Sequence, residues 1–273
     1  MPGGEKAIRE PWRMALAHLR DAGRSHSSLN SRIPAAARRT VETMIERGFN
    51  TPQTSSAGRL FDAVAAIVGV RDRVAFEGQA AQQLEWLAAE AGPEEPYSFE
   101  YLRIDTPTNN NGTSMPVSRT KARDLNPADP LDVIDTRPVI RAVLDDVNRG
   151  IDSRRIARRF HSTVVDIILK TCCAIRKETQ LGAVVLSGGV FMNALITRDA
   201  AHCLLKAGFR VYQHHVVPPN DGGLSLGQLA IAASTLASTA VAPTAERSPV
   251  RCRNSSARPS LQEEQAHVPR HSG

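Results

Sequence analysis

The chain has 273 residues, 41% of them hydrophobic and 23% charged, which sets it among globular proteins able to bury a core. No apolar run approaches the ~20 residues that span a bilayer, and the opening MPGGEKAIREPWRM lacks an apolar signal-peptide core, so a cytoplasmic location is expected, with no membrane as a partner. Net charge is +6, but the basic residues are dispersed and aromatics are only 4%, too few for a base-stacking platform, so no nucleic acid is expected either.

Residues 5–22 read as a helix with a break or first turn at Pro11. Residues 36–48 form another, ending on Gly48. In 54–70, Ser55 or Ser56 can cap a helix that aligns Leu60, Phe61, Val64, Ile67 and Val68 on one face. Residues 77–92 are rich in helix formers, and 97–105 look like a strand. The stretch 106–130 is Asn-, Gly-, Pro- and Ser-rich and reads as loop. Helices follow at 136–149 and at 152–178, the latter capped by Asp152 or Ser153. Strand 183–187, helix 191–207, strand 209–217 and helix 223–236 then make a β-α-β-α unit, which implies adjacent parallel strands. After about residue 237 periodicity is lost, and 237–273 is expected to be a disordered Ser/Pro/Arg-rich tail. Cys172, Cys173, Cys203 and Cys252 form no C-x-x-C pair, so they suggest neither a zinc site nor a disulfide framework.

Two turns carry the chemistry. Ser187-Gly188-Gly189 follows an apolar strand and precedes a helix. Backbone N–H groups at a helix start lack partners, the helix dipole favours anions there, and glycine lets the backbone approach a phosphate. The same arrangement also suits a simple packing connector. Asn193, one turn on, either points back to that site or caps the helix. The second turn is Pro218-Pro219-Asn220-Asp221-Gly222-Gly223. Asp221 either caps the next helix or, at a strand's carboxyl end, ligates a hard divalent cation beside phosphate. Both turns lie where open α/β sheets bind ligands. Asp62 is either an exposed helical acid or a polar contact to a ligand, and Gly78 can permit close backbone approach. His161 reads as packing. No Ser-His-Asp or H-E-x-x-H constellation is visible, so no catalytic residue is assigned.

SSAGRLFDAVAAIVGVRDRVAFEGQAAQQLEWLA, LSGGVFMN and PPNDGGLSLGQ together resemble the C-terminal part of the HypF-type carbamoyltransferases, over about residues 2–236. The resemblance implies a relationship to the synthases of threonylcarbamoyladenosine in tRNA. It implies an α/β, actin-like and sugar-kinase-like fold of RNase H-type units, here one lobe with added helices, incomplete relative to the two-lobed family fold. It implies a nucleotide, ATP or carbamoyl-adenylate, in the cleft with a divalent metal beside its phosphates. It also implies transfer of the carbamoyl group to the C-terminal cysteine of the partner HypE, on the way to the cyanide ligands of nickel–iron hydrogenases. Carried over by position, Ser187, Gly188, Gly189 and Asn193 match the nucleotide loop, Asp62 and Gly78 match nucleoside contacts, and Asp221 matches the metal ligand. Ala66 stands where the tRNA-modifying relatives have Lys, in agreement with the HypF branch. The family's paired metal-binding histidines lie upstream, and residues 1–60 offer no H-x-x-x-H. The expectation is therefore that a missing N-terminal HypF-like half is supplied in trans. The alternatives are a catalytically inactive truncated remnant with weak nucleotide binding or, further off, an RNA-associated basic module.

Overall fold

The computed structural model describes residues 1–103, 118–120 and 132–240. The chain divides into two compact units, Met1–Leu226 and Gly227–Gly273. In the second unit the described residues are helical as far as Ala240, the end of helix α9 (Leu224–Ala240). That helix runs past the expected boundary at 237, and the rest of the expected tail lies outside the described residues.

The first unit opens with α1 (Lys6–Arg9) and α2 (Pro11–Asp21). The break falls where Pro11 demands it. Glu10, before the proline, leaves the helical region (φ −124°, ψ 75°), and Pro11 then starts α2 at the first helical position, where its missing N–H costs nothing. Next come α3 (Ala35–Glu46), α4 (Ala57–Val68) and α5 (Gln79–Ala89). Helix α4 ends on Gly69 in the left-handed region at φ 89°.

Burial on α4 is not confined to one face. Residues 61–67 are all buried. Ala63, Ala65 and Ala66 are small enough for α2, α5, α6 and α7 to close around it. The helix is therefore the axis of the core, and Asp62 is carried inside with it.

Beyond α5, β1 (Glu100–Arg103) pairs antiparallel with both β2 (Ser118–Thr120) and β3 (Asp132–Asp135), in the order β2-β1-β3. Residues 118–120 correct the reading of 106–130 as loop throughout; Tyr101 faces Thr120 on one side and Ile134 on the other. Short strands with little alternation of their own are recruited by their neighbour. The remainder of that loop lies outside the described residues.

Helices α6 (Arg137–Asn148) and α7 (Ser153–Thr179) follow. Asp152 caps α7, its carboxylate accepting from the Arg154 amide at 2.9 Å. Phe160 of α7 meets Phe61 of α4 edge-on at 4.9 Å, one of the contacts that join the helices into a single core. Then β4 (Ala183–Leu186), α8 (Ala194–Lys206) and β5 (Arg210–Gln213) complete the unit. β4 and β5 are parallel, with Val184 opposite Val211 and Val185 opposite Tyr212, as expected for a β-α-β unit. Strand β5 stops four residues short of the expected 217.

Candidate functional site

Beyond the ends of β4 and β5 the chain makes its two glycine turns, and they are bonded to each other. The Gly188 amide donates to the Pro219 carbonyl at 2.7 Å. Ser187 Oγ and His214 Nε2 lie 2.9 Å apart across the same ends. Gly188 has φ 101°, a conformation open to glycine and strained for other residues. The sequence pattern leads one to expect this N–H open to an anion; it is instead taken up by the neighbouring turn. The amides of Gly189 and Val190 donate to no partner among the described residues.

A 3-10 turn, Gly189–Met192, leads to Asn193, the cap of α8. Asn193 Oδ1 accepts from the Ile196 amide at 2.9 Å, and its Nδ2 donates to His161 Nε2 at 3.0 Å. His161 Nδ1 donates to the Ala157 carbonyl at 2.8 Å, so the ring is neutral with its proton on Nδ1. Burial holds the imidazole well below its usual range, at about 4, against the opposing pull of the Ala157 carbonyl. Asn193 therefore both caps the helix and anchors it to α7. Glu85 of α5 completes the cap, its Oε1 accepting from the Ala194 amide at 2.7 Å and the Leu195 amide at 3.4 Å. The positive end of α8 is occupied by the protein's own side chains.

In the second turn Asn220, not Asp221, is the cap, its Oδ1 accepting from the Gly222 amide at 3.1 Å. Gly223 is there for space: a Cβ would fall 2.8 Å from the Pro218 carbonyl oxygen and 2.9 Å from Val217 Cγ1. Asp221 is exposed, and no described group hydrogen-bonds to its carboxylate. Among the described residues no three His, Cys, Asp or Glu side chains gather closely enough to hold a metal ion. A lone carboxylate does not make a divalent site. These residues do not by themselves fit a metal.

The facing wall is built by α4 and the start of α5. Asp62 is buried, not an exposed helical acid. Its Oδ2 lies 3.2 Å from Arg59 Nη2 without making a hydrogen bond, and Arg59 Nη2 is also 3.5 Å from Glu77 Oε1. Burial pushes the Asp62 carboxyl up to about 6; Arg59 opposes the shift and Glu77 adds to it. Gly78, at φ 83°, turns the chain into α5 with open space around it.

These walls enclose a cavity of about 540 Å³, lined among others by Arg59, Glu77, Gly78, Glu85, Gly189 and Asn193. Of the residues picked from the sequence, Gly78, Gly189 and Asn193 meet there. Asp62 stands behind Arg59. Ser187, Gly188 and Asp221 are not in its lining, and the second turn reaches the wall through Asn220. Sequence reasoning missed Arg59 and Glu85. Arg59 stands three residues before Asp62 on one helix, a spacing that brings side chains together; Glu85 had no local sign, since its partner is 109 residues away.

The family model "Carbamoyltransferase, Kae1-like Domain, second subdomain" matches residues 1–228. The chain belongs to the HypF carbamoyltransferase family. It is 34% identical to carbamoyltransferase HypF2 of Cupriavidus necator, over 85% of this chain and 28% of that protein. It is 33% identical to HypF of Rhodobacter capsulatus, over 86% of this chain and 27% of that protein. A crystal structure of full-length HypF in its phosphate- and nucleotide-bound form matches the fold with a TM-score of 0.71 at 36% identity, covering 86% of this chain and 28% of that one. The chain thus spans little more than a quarter of these HypF proteins. Its fold is that of the Kae1-like carbamoyltransferase domain, as expected from the actin-like and sugar-kinase-like resemblance, here mostly helical with few strands.

Proposed function

We propose that the chain serves carbamoyl transfer in the maturation of nickel–iron hydrogenases, holding ATP or carbamoyl-adenylate while the carbamoyl group passes to the C-terminal cysteine of HypE. The observation that carries this reading is the cavity between α4, α5 and the β4–α8 turn, in a chain of this family. Gly189 and Val190 line it, and their amides, which have no partner among the described residues, suit a phosphate oxygen. Its volume fits a nucleotide-sized ligand.

The chain's own residues supply binding and orientation. The glycine turn holds charge that develops on phosphate. Asn193 and Glu85 keep the start of α8 rigid behind it. Gly78 keeps the rim open. No described side chain stands out as a general base, which suits a reaction whose nucleophile is a partner's thiolate.

We also propose that turnover needs a further HypF-like part. β4 and β5 form a two-stranded parallel sheet with Val185 and Tyr212 exposed at 64% and 53%. Parallel sheets are normally covered on both faces, so this pair suits an added layer. The same features favour a second reading, a chain that binds nucleotide without turnover.

The test is to mix the purified chain with ATP, carbamoyl phosphate and HypE, with and without an upstream HypF fragment carrying the adenylating domain. Carbamoylated HypE only when both parts are present is the expected result. Failure to carbamoylate in either mixture, with the fragment shown to make carbamoyl-adenylate, would sink the transferase reading and leave the second.

A further inference from the structure

Met192 lines two hollows. One is the cavity described above; the other is a groove of about 620 Å³ along the outer face of α8. Ala194, Arg198, Ala201 and Leu205 follow one another along it at the spacing of a single helix face. The groove therefore adjoins the cavity at the start of α8 and runs away from it toward the helix end. The Thr197 hydroxyl donates to the Phe191 carbonyl at 2.9 Å, which ties the turn at the mouth of the groove to the helix.

Large apolar side chains stand exposed at both ends of the groove, Met192 at 55% and Leu205 at 59%. Between Ala194 and Leu205 the helix rises roughly 16 Å, the span of about five residues of extended chain. No acidic side chain lines the groove, and Arg198 does. Arg198 Nε lies 3.0 Å from Asp199 Oδ1, but Asp199 is already paired with Arg158 at 2.7 Å, so the Arg198 charge is not cancelled. Its side chain is exposed, and Nη1 and Nη2 make no hydrogen bond among the described residues. Side chains on a helix lean toward its N-terminus, here toward Met192 and the cavity. A guanidinium with two free nitrogens matches a carboxylate. An apolar floor about five residues long, with a carboxylate-binding cation near its cavity end, fits the carboxyl terminus of an extended polypeptide.

We infer that this groove docks the carboxyl-terminal segment of the acceptor protein. The segment lies extended along α8 with apolar side chains against Ala201 and Leu205. Its terminal carboxylate meets Arg198, and its last side chain passes Met192 into the cavity. The inference rests on the reading above that the acceptor is a C-terminal cysteine. To that reading it adds where the acceptor chain lies and which residue recognises its end.

The full chain is titrated, by fluorescence anisotropy, with a labelled peptide of the last ten residues of HypE, its cysteine replaced by serine. The peptide is made with a free and with an amidated carboxyl end. Arg198→Gln removes the cation and leaves Asp199 its bond to Arg158; Leu205→Asp puts an acid at the apolar far end. Both side chains are exposed, and thermal melts establish that the variants are folded. We expect the free-acid peptide to bind the natural chain, and amidation, Arg198→Gln and Leu205→Asp each to weaken binding at least fivefold. In Arg198→Gln, amidation should cost nothing further, since the two changes remove one interaction. Binding indifferent to amidation or to Arg198→Gln, or no binding by the natural chain, overturns the inference. So does displacement of the peptide by the upstream HypF fragment, which would assign the groove to the rest of HypF. Carboxylate-dependent binding by a chain that leaves HypE uncarbamoylated in the assay above would fail the transfer reading alone. Carbamoylation of HypE at the natural rate by Arg198→Gln would fail the groove alone.

Discussion

The side-chain amide of Asn193 donates to Nε2 of His161 at 3.0 Å, while the carbonyl end of the same side chain caps α8. Asn193→Ala removes a cap, worth about 1 kcal/mol, and leaves a buried ring nitrogen unbonded, worth about 1–3 kcal/mol more. We expect a loss of roughly 2–4 kcal/mol in urea unfolding. An Asn193→Ala chain as stable as the natural one would mean that the side chain faces a ligand instead.

His161 imposes a pH dependence. Its folded value of about 4 lies below the ordinary 6.5, so between the two the unfolded chain takes up a proton that the folded chain refuses. Its contribution is fully present above about pH 6.5 and is lost as pH falls toward 4. At about 1.4 kcal/mol per unit, the loss reaches at most roughly 3 kcal/mol. The ring resonances of His161 should not move on titration from pH 8 to 5; movement centred near 6.5 would contradict the buried neutral ring.

Asp62 acts with the opposite sign. Its folded value of about 6 lies above the ordinary 3.8, so in that window the folded chain holds a proton the unfolded chain has released. Stability from this group declines as pH rises from about 4 to 6 and is level beyond. Asp62→Asn cannot ionise. Its stability relative to the natural chain should rise between pH 4.5 and pH 7, by roughly 1–3 kcal/mol. A constant difference at both pH values would refute the raised carboxyl.

Two glycines should respond to alanine for different reasons. At Gly223 the added methyl would meet the Pro218 carbonyl oxygen at 2.8 Å, and backbone must shift. We expect a cost of about 1–3 kcal/mol from overpacking and exchange of the Gly188 amide at least tenfold faster as its bond to Pro219 loosens. At Gly78 the space is open and only the φ of 83° resists, so alanine should cost about 1–2 kcal/mol and leave Gly188 exchange unchanged. Hydrogen exchange and denaturant melts separate the two; matching exchange in both variants would show that Gly223 does not brace the paired turns.

Much of the fold was legible because its causes are local. Pro11 interrupts the first helix through its own ring and its effect on Glu10. Asp152 caps α7 by reaching two residues ahead. An apolar run ending in Ser187-Gly188-Gly189 turns because glycine reaches φ 101°. The β-α-β pattern is periodic within each element, and strands β4 and β5 follow from it. Strands β2 and β3 were not legible: each is only three or four residues long and is shaped by pairing with β1.

The candidate site was legible in its ingredients and not in their roles. From the sequence alone, glycine turns at two strand ends, an acid within an apolar helix and an asparagine at a helix start could be named. Which of them faces a cavity depended on partners 32 to 109 residues away. Packing between α4 and four other helices decided that Asp62 is buried and that Arg59 is held beside it as an ion pair. Bonds between α5, α7 and α8 decided that Asn193 braces His161 and that Glu85 closes the helix end. Backbone dihedrals and neighbouring hydrogen bonds are encoded within a few residues of chain; burial and the pairing of polar groups exist only once distant segments meet, and that is where the tertiary structure made its choices.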